Sequence, residues 1–129
     1  MKAVIALSVM MLALAVAACG GASKHYRASE VRDCLADKNL SVTSFELPGD
    51  VGPDGTEGDL TVHVGDSEVD LAFGADSNEA ETNADKEEAA ASVALGANAD
   101  DYVRTKSNVA YWVMGTDTSA FDPVEACLE

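Results

Sequence analysis

Three thiols, an imidazole near a carboxylate and one indole carry most of the chemistry this chain can offer. Cys19, Cys34 and Cys127 are its cysteines, and a thiol can accept an acyl group, close a disulfide or bind a metal. A zinc pattern is not met, because neither Cys34 nor Cys127 has a second Cys or His close by. His63 and Asp70 fall on two segments that read as a hairpin, and Trp112 falls on a strongly β-forming segment further on. A His-carboxylate pair beside an indole suits contact with a small molecule or a protein, without catalysis.

The rest of the composition narrows the setting. With 129 residues the chain fits one small domain, and 23 acids against 8 basic groups give a formal charge of −15. No basic stripe is available to neutralise phosphates, which excludes nucleic acid as a partner. At the start, Lys2 precedes 16 residues, Ala3 to Ala18, in which Ser8 is the one clearly polar side chain. As a helix that run reaches roughly 24 Å, short of a ~30 Å hydrocarbon core. Residues 1–18 therefore read as a signal peptide rather than a permanent membrane span.

The run ends in Val16-Ala17-Ala18-Cys19-Gly20, small side chains followed at once by a thiol. This junction resembles the lipobox of bacterial lipoproteins, although Val16 stands where leucine is usual and a single lysine precedes the apolar run. The resemblance implies that Cys19 takes a diacylglycerol, that cleavage falls just before it and that the new amino group is acylated in turn. The alternative is an ordinary secretory signal in which Val16 and Ala18 fill the peptidase pockets. On the first reading the protein is held on the extracytoplasmic face of the cell membrane by its lipid, with residues 19–27 as a short tether and 28–129 as the domain. Removal of Lys2 with the signal leaves seven basic groups against 23 acids, a charge of −16 that would hold the domain off anionic headgroups.

Lipidation of Cys19 leaves two thiols, in the similar settings Asp33-Cys34-Leu35 and Ala126-Cys127-Leu128, each in a predicted helix. A disulfide between them is the expectation for an exported protein; two buried free thiols are the alternative.

The elements that must position these groups follow from patterning. Ser29 can cap a helix over 30–38, with Asn39 as a left-handed stop. A strand is predicted over 40–47, and residues 48–58, rich in Pro, Gly and acids, form a loop. Leu60, Val62 and Val64, then Val69, Leu71 and Phe73, alternate with polar residues as a hairpin does. Asp76-Ser77-Asn78-Glu79 has capping-box spacing and opens a helix over 77–95 whose stripe is Ala80, Ala84, Ala91, Ala94 and Leu95. Gly96 and Asn98 can end it. Strands over 101–106 and 108–114 precede a last helix capped by Asp122, with Pro123 in its first position. The order α-β-β-β-α-β-β-α predicts an α+β fold, a mostly antiparallel sheet of about five strands with the helices packed on one face.

Two motifs reduce to ordinary structure. Gly65-Asp66-Ser67 resembles the first block of the GDSL-type serine hydrolases over three residues, but neither His25 nor His63 follows an Asp at the required spacing, and the chain is much shorter than that fold. Asp50, Asp54, Glu57 and Asp59 offer hard oxygen ligands for calcium, yet Gly52 and Thr61 stand where an EF-hand needs an acid and a bidentate Glu. No cofactor is implied. With Asp66-Ser67 as a two-residue turn, Val64 faces Val69, Val62 faces Leu71, Leu60 faces Phe73 and His63 faces Asp70. His63, Asp70 and Trp112 then share the face away from the core as a contact surface; the alternative is an exposed ion pair and an indole that covers an edge.

The whole is similar in composition to small lipoproteins of high-GC bacteria, a likeness that supplies no activity. The function expected is a non-catalytic binding or cell-envelope accessory module with a protein or small-molecule partner. The alternatives are a small hydrolase with an unrecognised site and a structural envelope protein. Stable attachment takes two or more acyl chains. Cys19→Ser is therefore expected to release the protein or leave it as a precursor. Mass spectrometry of native protein is the check, and a mature chain that starts elsewhere without acyl mass would exclude the lipobox reading.

Overall fold

The computed structural model describes residues 24–45, 59–96 and 99–129. The signal segment, Cys19, Asn98 and residues 46–58 of the acidic loop lie outside them. In order, the elements are α1 (Ala28–Asp37), β1 (Ser41–Phe45), β2 (Asp59–Val64), β3 (Ser67–Phe73), α2 (Ser77–Leu95), β4 (Val103–Lys106), β5 (Val109–Met114) and α3 (Phe121–Glu125). The strands make one five-stranded antiparallel sheet in the order β1-β2-β3-β5-β4. The α+β class, the element order and the antiparallel sheet are those expected from patterning.

The expected gathering of all helices on one face is corrected. On one side of the sheet, Leu60, Val62, Val69, Leu71, Val109, Tyr111 and Val113 form the main core with Val31 and Leu35 of α1 and with Phe121, Val124, Cys127 and Leu128 at the C-terminus. On the other side, Ala84 of α2 packs on Val103, Ala110 and Trp112. The reason is topological. β3 and β4 are both antiparallel to β5, hence parallel to each other, and α2 is the crossover that links them across a sheet face. β5 reads Val-Ala-Tyr-Trp-Val-Met with no polar position, the pattern of a strand covered on both sides.

Cys34 and Cys127 come together between α1 and the C-terminal segment, with sulfurs 1.99 Å and Cα atoms 5.9 Å apart. Bridging a sequence separation of 93 stabilises by about 4 to 5 kcal/mol in the chain-entropy view.

The helix ends follow their chemistry unevenly. Asp76 caps α2 by accepting from the Glu79 N–H at 2.9 Å, while the Glu79 carboxylate reaches back to the Ala75 N–H at 2.7 Å. Asn39 (φ 61°) and Gly96 (φ 80°) take the left-handed stops expected of them. Ser29 does not cap α1, which begins one residue earlier behind Arg27 without a side-chain cap. Nor does Asp122 cap α3. The turn Thr118–Ala120 leads directly into that helix, and Asp117 takes the Ser119 N–H at 3.1 Å instead.

Asn108 is the one polar residue fully buried among the described residues. Its Nδ2 donates to the carbonyls of Tyr26 (2.9 Å) and Gly74 (3.0 Å), and its Oδ1 accepts from the Tyr26 N–H at 2.7 Å. Its own carbonyl takes the Gly74 N–H at 2.7 Å. A side chain at Gly74 would be crowded, since a Cβ there would stand 3.0 Å from that of Glu79 and 3.1 Å from the Ala80 nitrogen. Asn108→Ala strands one N–H and two carbonyls in the interior, and is expected to cost about 3 kcal/mol in chemical denaturation. Asn108→Asp, which sets oxygens against both carbonyls, should be no better at neutral pH; a change within experimental error for either variant would contradict this account.

Candidate functional site

The face of the sheet beneath α2 carries the residues singled out in the sequence, in a register two residues away from the expected one. The β2–β3 turn is Gly65-Asp66, with Gly65 at φ 61° as the first central residue of a II′ turn requires. His63 therefore faces Glu68, with Nδ1 and Oε2 3.6 Å apart, and not Asp70. Asp70 faces Thr61, whose hydroxyl donates to its Oδ1 at 2.5 Å, and on its other side it faces Trp112 of β5. A shift of two positions preserves the side on which each residue lies. Asp70 and Trp112 are thus direct neighbours, and His63 stands diagonally off at the exposed end of β2.

Trp112 is half-buried because it is one wall of a groove. Over the first half of α2, alanine meets alanine: Ala80 and Ala84 are buried, as are Ala72 and Ala110 on the sheet. Beyond Ala84 the helix keeps small residues while the sheet side enlarges to Trp112 and Met114, and space is left between them. The cavity measures about 370 Å³ and is lined by Glu87, Ala91 and Leu95 from α2, by Tyr102 just before β4 and by Trp112 and Met114 from β5. Leu95 and Met114 are 43% and 58% exposed, and they are two of the three large apolar side chains exposed among the described residues. A pocket of this size, apolar and bordered by a few polar groups, is the usual form of a small-molecule site.

The polar border is acidic. Burial, offset in part by the Thr61 hydrogen bond and reinforced by the nearby Glu68, raises the Asp70 carboxyl above its ordinary range. Glu87 is raised too, by its own burial and then by the charge of Asp70. None of the three ion pairs among the described residues involves either group. On the opposite face the balance differs. Burial would raise Glu125, but hydrogen bonds from the Arg104 guanidinium and from the Tyr111 hydroxyl (3.0 Å) outweigh it and hold its carboxyl low. Burial and the same Glu125 contact push the Tyr111 phenol up.

Glu87, Tyr102, Leu95 and Met114 were not singled out by the sequence reading. A signal for Glu87 existed: Ala80, Ala84, Glu87, Ala91 and Ala94 follow the i, i+4, i+7 spacing of one helix face, and Glu87 is the single acid in that stripe. The Ser67 hydroxyl lies 3.5 Å from Asp117, and the His63 imidazole is directed at Glu68, so the Gly65-Asp66-Ser67 triplet serves the hairpin. Among the described residues no three His, Cys, Asp or Glu side chains are placed to hold a metal ion, and no helix is long and apolar enough to cross a membrane. Of the carboxylates weighed for calcium, Asp50, Asp54 and Glu57 lie outside the described residues, and Asp59 opens β2. No family model, curated protein or solved structure matches the chain.

A carboxyl raised in the fold binds its proton more tightly there than in the unfolded chain, so stability falls as pH rises through the interval between its ordinary and raised values. Asp70 is such a group, facing Thr61, Glu68, His63, Glu87 and Trp112. Asp70→Asn keeps an oxygen for Thr61 and removes the charge. The variant should match or exceed the native protein in urea denaturation near neutral pH, and its advantage should vanish below the ordinary aspartate value of 3.8. An advantage that grows on acidification would reverse the assigned cause.

Proposed function

We propose that this protein is a lipid-anchored, extracytoplasmic binding module, without catalysis, whose ligand is a small molecule with an apolar body held in the groove between α2 and the β4–β5 edge of the sheet. The observation that carries the reading is the groove itself, a cavity of about 370 Å³ with Trp112 as a wall and with exposed Leu95 and Met114 at its border. Apolar surface left open beside a formed cavity is what a binding site presents and what a purely structural envelope protein has no use for. The anchor rests on the Val16-Ala17-Ala18-Cys19 junction. The hydrolase alternative finds less support, because Glu87 lines the groove, with Asp70 behind it as the cross-strand neighbour of Trp112, and neither belongs to a nucleophile and base in hydrogen-bonding reach of each other.

A neutral, environment-sensitive fluorophore such as N-phenyl-1-naphthylamine tests the groove. The native protein should bind it with a stoichiometry of one. Ala91→Phe, which fills the groove from the helix side, should weaken binding about tenfold or more without loss of helix or sheet signal. Absence of binding, or equal binding by the filled variant, would remove the basis of the reading.

A further inference from the structure

The groove has a charge preference written into its border, and this inference rests on its being a ligand site. Glu87 is the one acidic or basic side chain of the lining. It stands on α2 before Ala91 and Leu95, toward the closed end where helix and sheet meet through alanine. There it interacts with Asp70, which pairs across the sheet with Trp112. Two like charges are thus held near an indole, partly withdrawn from water; neither is in an ion pair, and the influence of His63 on Asp70 is the smallest of those acting on it. An anion brought to that end meets repulsion from both carboxylates, and a neutral group leaves the repulsion in place. A cation relieves it, and can in addition lie against the faces of Trp112 and Tyr102. The domain as a whole, at −16 once the signal is removed, adds a field that draws cations in.

We propose that the ligand is a hydrophobic organic cation, an amine or quaternary ammonium carried on an apolar body, with its charged end against Trp112 and Glu87, within the field of Asp70 behind them, and its body along Ala91, Leu95 and Met114. The carboxylates set the sign of the ligand, and the apolar walls set its shape. Alanine lining on the helix side leaves width for a flexible chain or a flat ring system.

Three probes of one chain length and different charge make the test: octyltrimethylammonium, octanol and octanoate, each below its micellar concentration, added to the full chain carrying Cys19→Ser. Trp112 is the only tryptophan, so its fluorescence reports the site directly. The expected result is that the cation binds about tenfold or more tightly than the alcohol and that octanoate binds weakest. In Glu87→Gln, and separately in Asp70→Asn, the ratio of cation to alcohol affinity should fall toward one. Two variants on different elements guard against one that fails to fold, which circular dichroism would reveal. Equal binding of cation and alcohol, tighter binding of octanoate, or a ratio untouched in both folded variants would overturn the charge assignment while leaving the groove as a ligand site. No response to any of the three probes, or a groove already closed by a second copy of the chain in sedimentation analysis, would overturn the binding reading itself.

Discussion

The buried amide of Asn108 is the contact on which the two-sided architecture depends. It sits in the turn between β4 and β5, and it is satisfied entirely by backbone groups of two distant segments: Tyr26, just before α1, and Gly74, just before α2. One side chain thereby fixes where the helix of each face begins. Replacement by an apolar residue would leave three backbone groups dry and unpaired, which explains why an otherwise apolar interior keeps an amide. Around it, the Tyr26 hydroxyl donates to the Leu128 carbonyl and the Ser107 hydroxyl to that of Lys24, so the two ends of the domain are fastened to the same corner.

From that corner the two faces diverge in character. The face under α1 and α3 is a conventional core of large side chains, closed by Tyr111 edge-on to Phe121 with centroids 5.4 Å apart and by the Cys34–Cys127 pair. The face under α2 is made of alanine at one end and of Trp112 and Met114 at the other. Small residues bury little area each, roughly 0.8 kcal/mol per methyl-sized group. The crossover is capped at its N-terminal end by Asp76 and Glu79, packs through Ala84 on Val103 and Ala110, and borders the groove along its second half. The same alanine content that lets the helix approach the sheet is the reason the space beyond Ala84 is not filled.

Much of this was legible in the sequence. Alternation along 60–73 marked the hairpin and its core side, the acid at Asp76 with Glu79 three residues on marked the start of α2, and Gly96 marked its end. The register was missed because Asp66-Ser67 and Gly65-Asp66 are both acceptable turns by composition. What decides is that a glycine can take the positive φ of a II′ turn without strain. The second covered face was missed although β5 carried the sign, a strand with apolar residues in both phases. Ser29 and Asp122 look like caps by residue type, but α1 enters from the extended Arg27 and α3 grows out of a preceding turn, so neither helix start needs them. Asn108 gave no sign at all, since its partners lie 82 and 34 residues away and a backbone partner has no residue type to betray it.

The same fastening orients the proposed ligand site relative to the proposed anchor. The chain enters the described fold at Lys24, beside Ser107 and the β4–β5 turn, and the short stretch from Cys19 to Ser23 can span at most about 18 Å. A lipid on Cys19 would thus hold that corner near the bilayer surface. β5 leads away from the corner, and Met114, at its far end, lies about 17 Å off at the rise of an extended strand. Leu95 and Met114, which border the open end of the groove, face away from the tether. On the proposed anchoring, a ligand would reach Trp112 from the aqueous side, and the strong negative charge, which would hold the domain off anionic headgroups, would draw the cation in from there.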